Sequence, residues 1–246
     1  VARRMARAHS TLSRWETGGL IPRPPDVSFM LDLYGVDGAE REALLRAVQH
    51  AREREDWEVD VSVAVADYAW MEGRAWKVET FQDSVLPGLL QTPDYAREVL
   101  RAWDPGATPQ WIERTLAARI ARQRRLTAEE PLQLAAMVGE GALRLSVGGP
   151  EVMRTQLKHL VDIAAEPGIT LRVLPFATGT HAGMTGPFTI LRFRDDQDVA
   201  TVETRGGDIY LEDVEPFAQA LRRLSAAALP QRKSLAKIAA MRRELT

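Results

Sequence analysis

Two groups of residues in this chain have the types and spacing to do chemistry. The first lies in the stretch S-T-L-S-R-W-E-T-G that begins at Ser10. Ser10, suited to the N-cap, and Thr11 place short hydroxyls at the start of a helical segment, and Arg14 follows one turn later. Such a helix suits the major groove of DNA. A serine or threonine hydroxyl contacts a base edge or a phosphate, and a guanidinium bridges a guanine edge or a phosphate. Leu12 and Trp15 fall together on another side of the helix. Arg3 would face DNA with this group, and Arg23 would add a phosphate contact. The competing reading is a capped surface helix with no partner.

The second group is spread over the later part of the chain. Glu140 follows one strand-like run and Glu203 lies within another. A carboxylate turned inward at either place needs a partner, and Arg119, Arg122 and Gln123 are the candidates. If both acids line one pocket, they bind a cationic ligand or act as acid and base; facing solvent, they do neither. Residues 179–186 form a glycine-bearing loop with His181 and Thr185 as polar groups. A loop of this kind lets backbone N–H groups approach an anion, although an ordinary hairpin connection has the same composition. Gln91 and Thr92 stand at a helix start, where Thr92 is suited to capping. Tyr95 and Tyr210 either close such a pocket or pack in the core. The ligand-binding candidates are therefore Gln91, Arg119, Gln123, Glu140, His181, Thr185, Glu203 and Tyr210, with no residue assigned a catalytic role.

Other chemistries find no foothold. With no cysteine among 246 residues, disulfides, thiolate catalysis and thiolate metal sites are excluded. The histidines at 9, 50, 159 and 181 make no i, i+4 pair, and no glycine-rich nucleotide motif, P-loop or Gly-x-Ser-x-Gly occurs. No metal and no cofactor is expected. No apolar run approaches the roughly 20 residues of a membrane helix. The opening V-A-R-R-M-A-R-A-H lacks the apolar core of a secretory leader, so a cytoplasmic protein away from membranes is expected. The net charge of −2 hides an uneven distribution: Arg3, Arg4, Arg7, Arg14 and Arg23 stand against Glu16 alone in the first 25 residues, and residues 222–243 carry only basic charges. A basic head on a near-neutral chain fits a nucleic-acid footprint.

The elements that must hold these groups follow from periodicity and breakers. I-P-R-P-P at 21–25 stops one helix and begins an extended linker or turn; apolar residues at 29, 30, 33 and 34 recur at helical spacing, with Gly35 suited to the C-cap and Asp37 to the next N-cap. Residues 51–56 read as a charged bridge. Valines at 59, 61, 63 and 65 alternate as in a strand. Residues 76–81 form a better strand candidate, and Thr92-Pro93-Asp94 opens a helix. A long helix is expected over 107–127, a strand over 132–138 and an amphipathic helix from Gly149. Strands follow at 170–175, 188–193, 199–204 and 208–211, with closing helices at 216–229 and 234–245. Strands grouped late and helices packed on one side make the later part mixed α and β.

Two resemblances sit on these elements. S-x-x-S-R-W-E-x-G followed by Pro22 resembles the recognition-helix signature of Xre-type helix-turn-helix regulators. That family's domain opens with a further helix, and this chain starts inside the second, so a head lacking its first helix is expected, through omitted native residues or a true shortening. After residue 60, L-P-G-L-L-Q-T-P-D-Y-A, A-R-I-A-R-Q, G-G-P-E-V-M-R-T-Q-L-K-H-L, V-L-P-F-A-T-G-T-H-A-G-M-T-G-P-F and V-E-T-R-G-G-D-I-Y-L-E occur in order. Together they resemble the Scr1-type antitoxin-like domain of actinobacterial Xre-family regulators; for Val59–Val65 that resemblance implies a helix running through Tyr68 and Met71. The resulting expectation is an α+β chain: a small all-helical, partial helix-turn-helix DNA-binding domain at 1–55, then a mixed α/β sensor-like domain at 60–246. The resemblance implies a transcription regulator that senses a small-molecule effector or a small neighbour-encoded protein, and helix-turn-helix readers of palindromic sites are expected as homodimers. The alternatives are an enzyme on a small metabolite, with a decayed head and a pocket of Glu140, His181, Glu203 and Tyr210, and a module whose C-terminal helices dock a partner protein.

Overall fold

The computed structural model describes residue 5 and residues 9–17, 20–58, 63–205 and 207–245, with residues 9, 50–58 and 63–67 described through their backbone alone. The chain divides into two compact units, residues 1–67 and 68–246.

The first unit is helical, with α1 at His9–Glu16, α2 at Pro24–Tyr34 and α3 at Gly38–Glu58. The prolines at 24 and 25 are not part of an extended linker: Pro24 sits at the first turn of α2, where a missing N–H is no loss, and Gly35 ends the helix in the left-handed conformation with its N–H on the Leu31 carbonyl. Arg41 ties α3 to α2 by a hydrogen bond of 2.6 Å to Ser28 Oγ and an ion pair with Asp32 Oδ1 at 2.7 Å. Val27 and Leu31 are buried. They share an apolar groove of about 410 Å³ with Trp15, Leu20, Tyr34 and Leu44.

The alternating valines do not make a strand where they are described. Val63 and Val65 begin α4 (Val63–Arg74), which buries Ala69 and Glu72 three residues apart on one face. Positions 59 and 61 lie outside the described residues.

The second unit is built on one six-stranded sheet in the order β3-β2-β1-β4-β5-β6. Its strands are β1 Lys77–Gln82, β2 Gln133–Gly139, β3 Ile169–Leu174, β4 Phe188–Arg192, β5 Val199–Thr204 and β6 Gly207–Leu211. β1, β2 and β3 run parallel, while β4, β5 and β6 add on antiparallel. Parallel neighbours need long crossovers. α5 (Pro93–Trp103) and α6 (Pro109–Gln123) supply the first, and α7 (Glu140–Arg144) and α8 (Gly149–Ile163) the second. α9 (Glu215–Ala227) and α10 (Gln231–Glu244) close the chain. The fold is α+β, a helical head followed by a mixed sheet with helices.

Helices cover both faces of the sheet, not one as the sequence led us to expect. Side-chain alternation sends Val78, Leu134, Val138, Leu171 and Val173 to a core shared with Met153 and Leu157 of α8 and Ile238 of α10. The opposite face, with Phe81, Met137, Phe188, Ile190 and Ala200, packs on Ala218 and Leu224 of α9.

Candidate functional site

In the first unit, α1 begins at His9, so Ser10 lies inside its first turn and is not the cap. Ser10, Ser13 and Arg14 are exposed, and Thr11, Leu12 and Trp15 are half-buried. The helix end is fixed by Thr17, whose hydroxyl donates to the Ser13 carbonyl at 2.8 Å, and by the Leu20 N–H on the Arg14 carbonyl at 3.1 Å. Trp15 turns its ring into the apolar groove, with an indole N–H that has no hydrogen-bond partner among the described residues. Arg23 is exposed as the N-cap of α2. Arg3 lies outside the described residues. Ser13 was absent from the sequence-based set; its place in the Ser-x-x-Ser-Arg pattern was the available signal.

In the second unit, the site grows from the sheet face shared with α8 and α10. Toward β4, β5 and β6 that face turns polar. Register puts Thr80 opposite Thr189, Thr189 opposite Thr201 and Thr201 opposite Tyr210. The three threonines are buried, and the Thr80 and Thr189 hydroxyls share a bond of 2.8 Å. Two residues along β5, the alternation gives Glu203 to the same face, with Asp208 opposite it.

Arg119 and Arg122 leave α6 one turn apart, close enough to this region for the charge of Glu203 to act on both. Arg122 makes a two-pronged pair with Glu72, at 2.7 and 3.0 Å, and its guanidinium carbon lies 5.2 Å from the centre of the Tyr68 ring. Burial holds the Tyr68 hydroxyl un-ionised far above its ordinary range, and the carboxylates of Glu72 and Glu203 add to that. Arg119 is served differently. Its Nη1 donates to Gln91 Oε1 at 2.6 Å, and neither Nε nor Nη2 bonds a described residue. Burial pulls its pKa down to about 10, with the positive charge of Arg122 adding to the effect and Glu203, Glu72 and Tyr68 opposing it.

Gln91 and Gln123 hold this corner together. Gln91 is buried and donates to the Leu86 carbonyl at 2.7 Å, which aims its oxygen at Arg119. Gln123 donates to the carbonyls of Gly88 and Gln91 at 2.9 and 2.8 Å, pinning the 3-10 turn Gly88–Leu90. Thr92 does not cap α5 with its side chain. Its N–H and hydroxyl both donate to Oε1 of the fully buried Gln156, at 2.6 and 3.1 Å. Tyr95 is buried in the core, where its hydroxyl accepts from the Leu86 N–H.

The remaining candidates sit elsewhere. Glu140, 5% exposed, accepts from Arg144 at 2.8 Å, Lys237 at 3.1 Å and the Phe176 N–H at 3.1 Å. Burial alone would raise its pKa; these donors outweigh that and hold it below the ordinary carboxylate value. His181 accepts the Gly183 N–H on Nδ1 and stands edge-on to Phe81. Gly183 is buried there because a Cβ would collide with the Phe81 ring. The N–H groups of 183, 184 and 186 are bonded within the loop, so these three are not left open to an anion. Thr185 is exposed on the same loop. Glu140 and His181 thus have separate partners, while Glu203 and Tyr210 face away from the Phe81 side of the sheet. The four do not converge on one pocket. Under α9, on that Phe81 side, lies a groove of about 310 Å³ bordered by Glu79, Arg172, Arg192 and Arg222, all of them bonded to neighbours.

On the polar side, Gln91, Arg119, Gln123, Glu203 and Tyr210 stand out in the sequence, whereas Glu72, Tyr68 and the threonines do not. Tyr68 and Glu72 are i, i+4 on one helix, a signal that was readable; the threonine row depends on strand pairing and was not. Among the described residues no group of three or more His, Asp or Glu has the spacing to hold a metal, and no helix is long and apolar enough to cross a membrane.

Residues 65–240 match the family described as a domain of unknown function (DUF5753), and residues 1–44 match a helix-turn-helix domain. No curated protein and no solved structure matches the chain.

Proposed function

The chain belongs to the family of that domain of unknown function (DUF5753) and carries a helix-turn-helix domain at its N-terminus, and from this premise we propose that it is an Xre-type transcription regulator whose second unit senses a small ligand. One observation carries the DNA-binding half: within the matched head, α1 exposes Ser10, Ser13 and Arg14 while Trp15 turns inward. Exposed hydroxyls and a guanidinium on one short helix are what a groove-reading element presents, with Arg3 and Arg23 as flanking phosphate contacts. The sensing half is supported by Arg119, a half-buried guanidinium within electrostatic reach of Glu203 and with two nitrogens left for a visitor. A regulator of this kind works in the cytoplasm and binds palindromic operators as a dimer.

The test is selection of duplexes by the full chain from a random-sequence pool. Enrichment of a defined motif is expected, and loss of that enrichment in Arg14→Ala. A pool that stays random under the wild-type chain would sink the reading.

A further inference from the structure

We propose that Arg119 anchors a binding site for an oxyanion, so that the ligand of the second unit is a small molecule bearing a carboxylate or a phosphate group; this rests on the sensing reading above. Arg119 is set apart by the acceptors it lacks. A guanidinium carries five N–H donors and cannot shed its charge near neutral pH, so drawing it half out of solvent, as at Arg119, favours acceptors. Its neighbours have them. Arg122 is matched by both oxygens of Glu72. Arg125 donates to the carbonyls of Glu72 and Ala75. Arg172, under the opposite face, is held by the carbonyls of Ala228 and Leu229 and the Ser225 hydroxyl. Arg119 has one neutral acceptor on one nitrogen, and no carboxylate of a described residue lies within ion-pair distance.

What remains open on Arg119 has a definite shape. Nη1 is taken by Gln91, which leaves Nε and Nη2. These two point their N–H groups along parallel lines, the edge that grips two oxygens of a carboxylate or phosphate at once. Gly88 borders this edge: a Cβ placed on it would lie 3.9 Å from Arg119 Nε and 3.8 Å from Arg122 Nη2. Glycine there keeps side-chain atoms away from both guanidiniums. Glu203, exposed on β5, attracts Arg119 only over a longer range and through solvent, which screens it.

The experiment is thermal unfolding of the full chain in inorganic phosphate or in succinate, against chloride at the same ionic strength. At about ten times the dissociation constant, a Tm rise of about 3 °C is expected with at least one of the two anions. A response to phosphate alone assigns a phosphate-bearing ligand, and one to succinate alone a carboxylate-bearing one. Arg119→Gln should abolish the response. Gly88→Asp, which sets a tethered carboxylate beside the edge, should raise the resting Tm and remove the response. Glu203→Gln, at an exposed position, should strengthen phosphate binding severalfold by removing a competing negative charge. The proposal fails if neither anion acts on the wild type, if the response survives in both Arg119→Gln and Gly88→Asp, or if Glu203→Gln weakens it. Should Arg119→Gln not fold, the other two variants decide. Anion binding that leaves DNA affinity unchanged would keep this site and remove the sensing reading. DNA affinity that answers an uncharged ligand, with no anion response, would do the reverse.

Discussion

Two corners of the second unit draw a charge out of solvent, Glu140 fully and Arg119 by half, and they treat it oppositely. At the end of β2, Glu140 is met by a backbone N–H, an arginine and a lysine. Beside the 3-10 turn, Arg119 receives one glutamine oxygen and keeps two nitrogens open. A charge with its full set of partners is part of the scaffold, since it gains nothing from a visitor and holds its neighbours in place. An enclosed charge short of partners is where a ligand improves the structure's own electrostatics. The same contrast separates Arg122 from Arg119 on a single helix.

The contrast can be broken by substitution. The largest effect is expected at Glu72, whose side chain is 3% exposed: Glu72→Gln leaves Arg122 enclosed without its counter-ion and should cost about 3 kcal/mol in urea unfolding of the second unit. Glu140→Gln should cost less, about 2 kcal/mol at neutral pH, through weaker bonds to Arg144, Lys237 and the Phe176 N–H. Its sign with pH is fixed by the lowered carboxyl. The stability it supplies is present above the ordinary carboxylate range and is lost as pH falls through the folded-state value, so wild type and variant should converge in acid. Smallest should be Arg119→Met, within about 1 kcal/mol of wild type, because an under-partnered guanidinium gives way to an apolar chain of similar length. A loss at Arg119 as large as that at Glu72 would erase the distinction.

Much of the scaffold was legible before the structure. Gly35 and Pro93 mark the ends of their helices for local reasons, and β4 and β5 carry β-branched residues between clear breakers, whereas the prolines at 24 and 25, which read as a linker, open a helix. The valines at 63 and 65 were ambiguous because alternation alone does not say whether a pairing strand is at hand. The side of the sheet taken by α9 was not legible, since Ala218 and Leu224 read the same against either face. At the site, the sequence marks Gln91 at a helix start and Arg119 and Gln123 as partners for an inward-facing acid. That Gln91 and Gln123 are pins and Arg119 the open group depends on which carbonyls the turn presents, and no spacing records that. Glu140 was grouped with Glu203 as a charge facing inward, but its partner Lys237 comes from nearly a hundred residues further along the chain.

The head and the second unit teach complementary things. In α1 the informative groups are those left outside, while in the sheet unit the informative group is one taken inside and left incompletely answered. Fluorescence anisotropy with a duplex chosen from the random pool bears most directly on the claim that α1 reads DNA. Arg14→Ala should bind that duplex about tenfold or more weakly than the wild type, with little change on an unrelated duplex. Equal dissociation constants for the two proteins on the chosen duplex would contradict it.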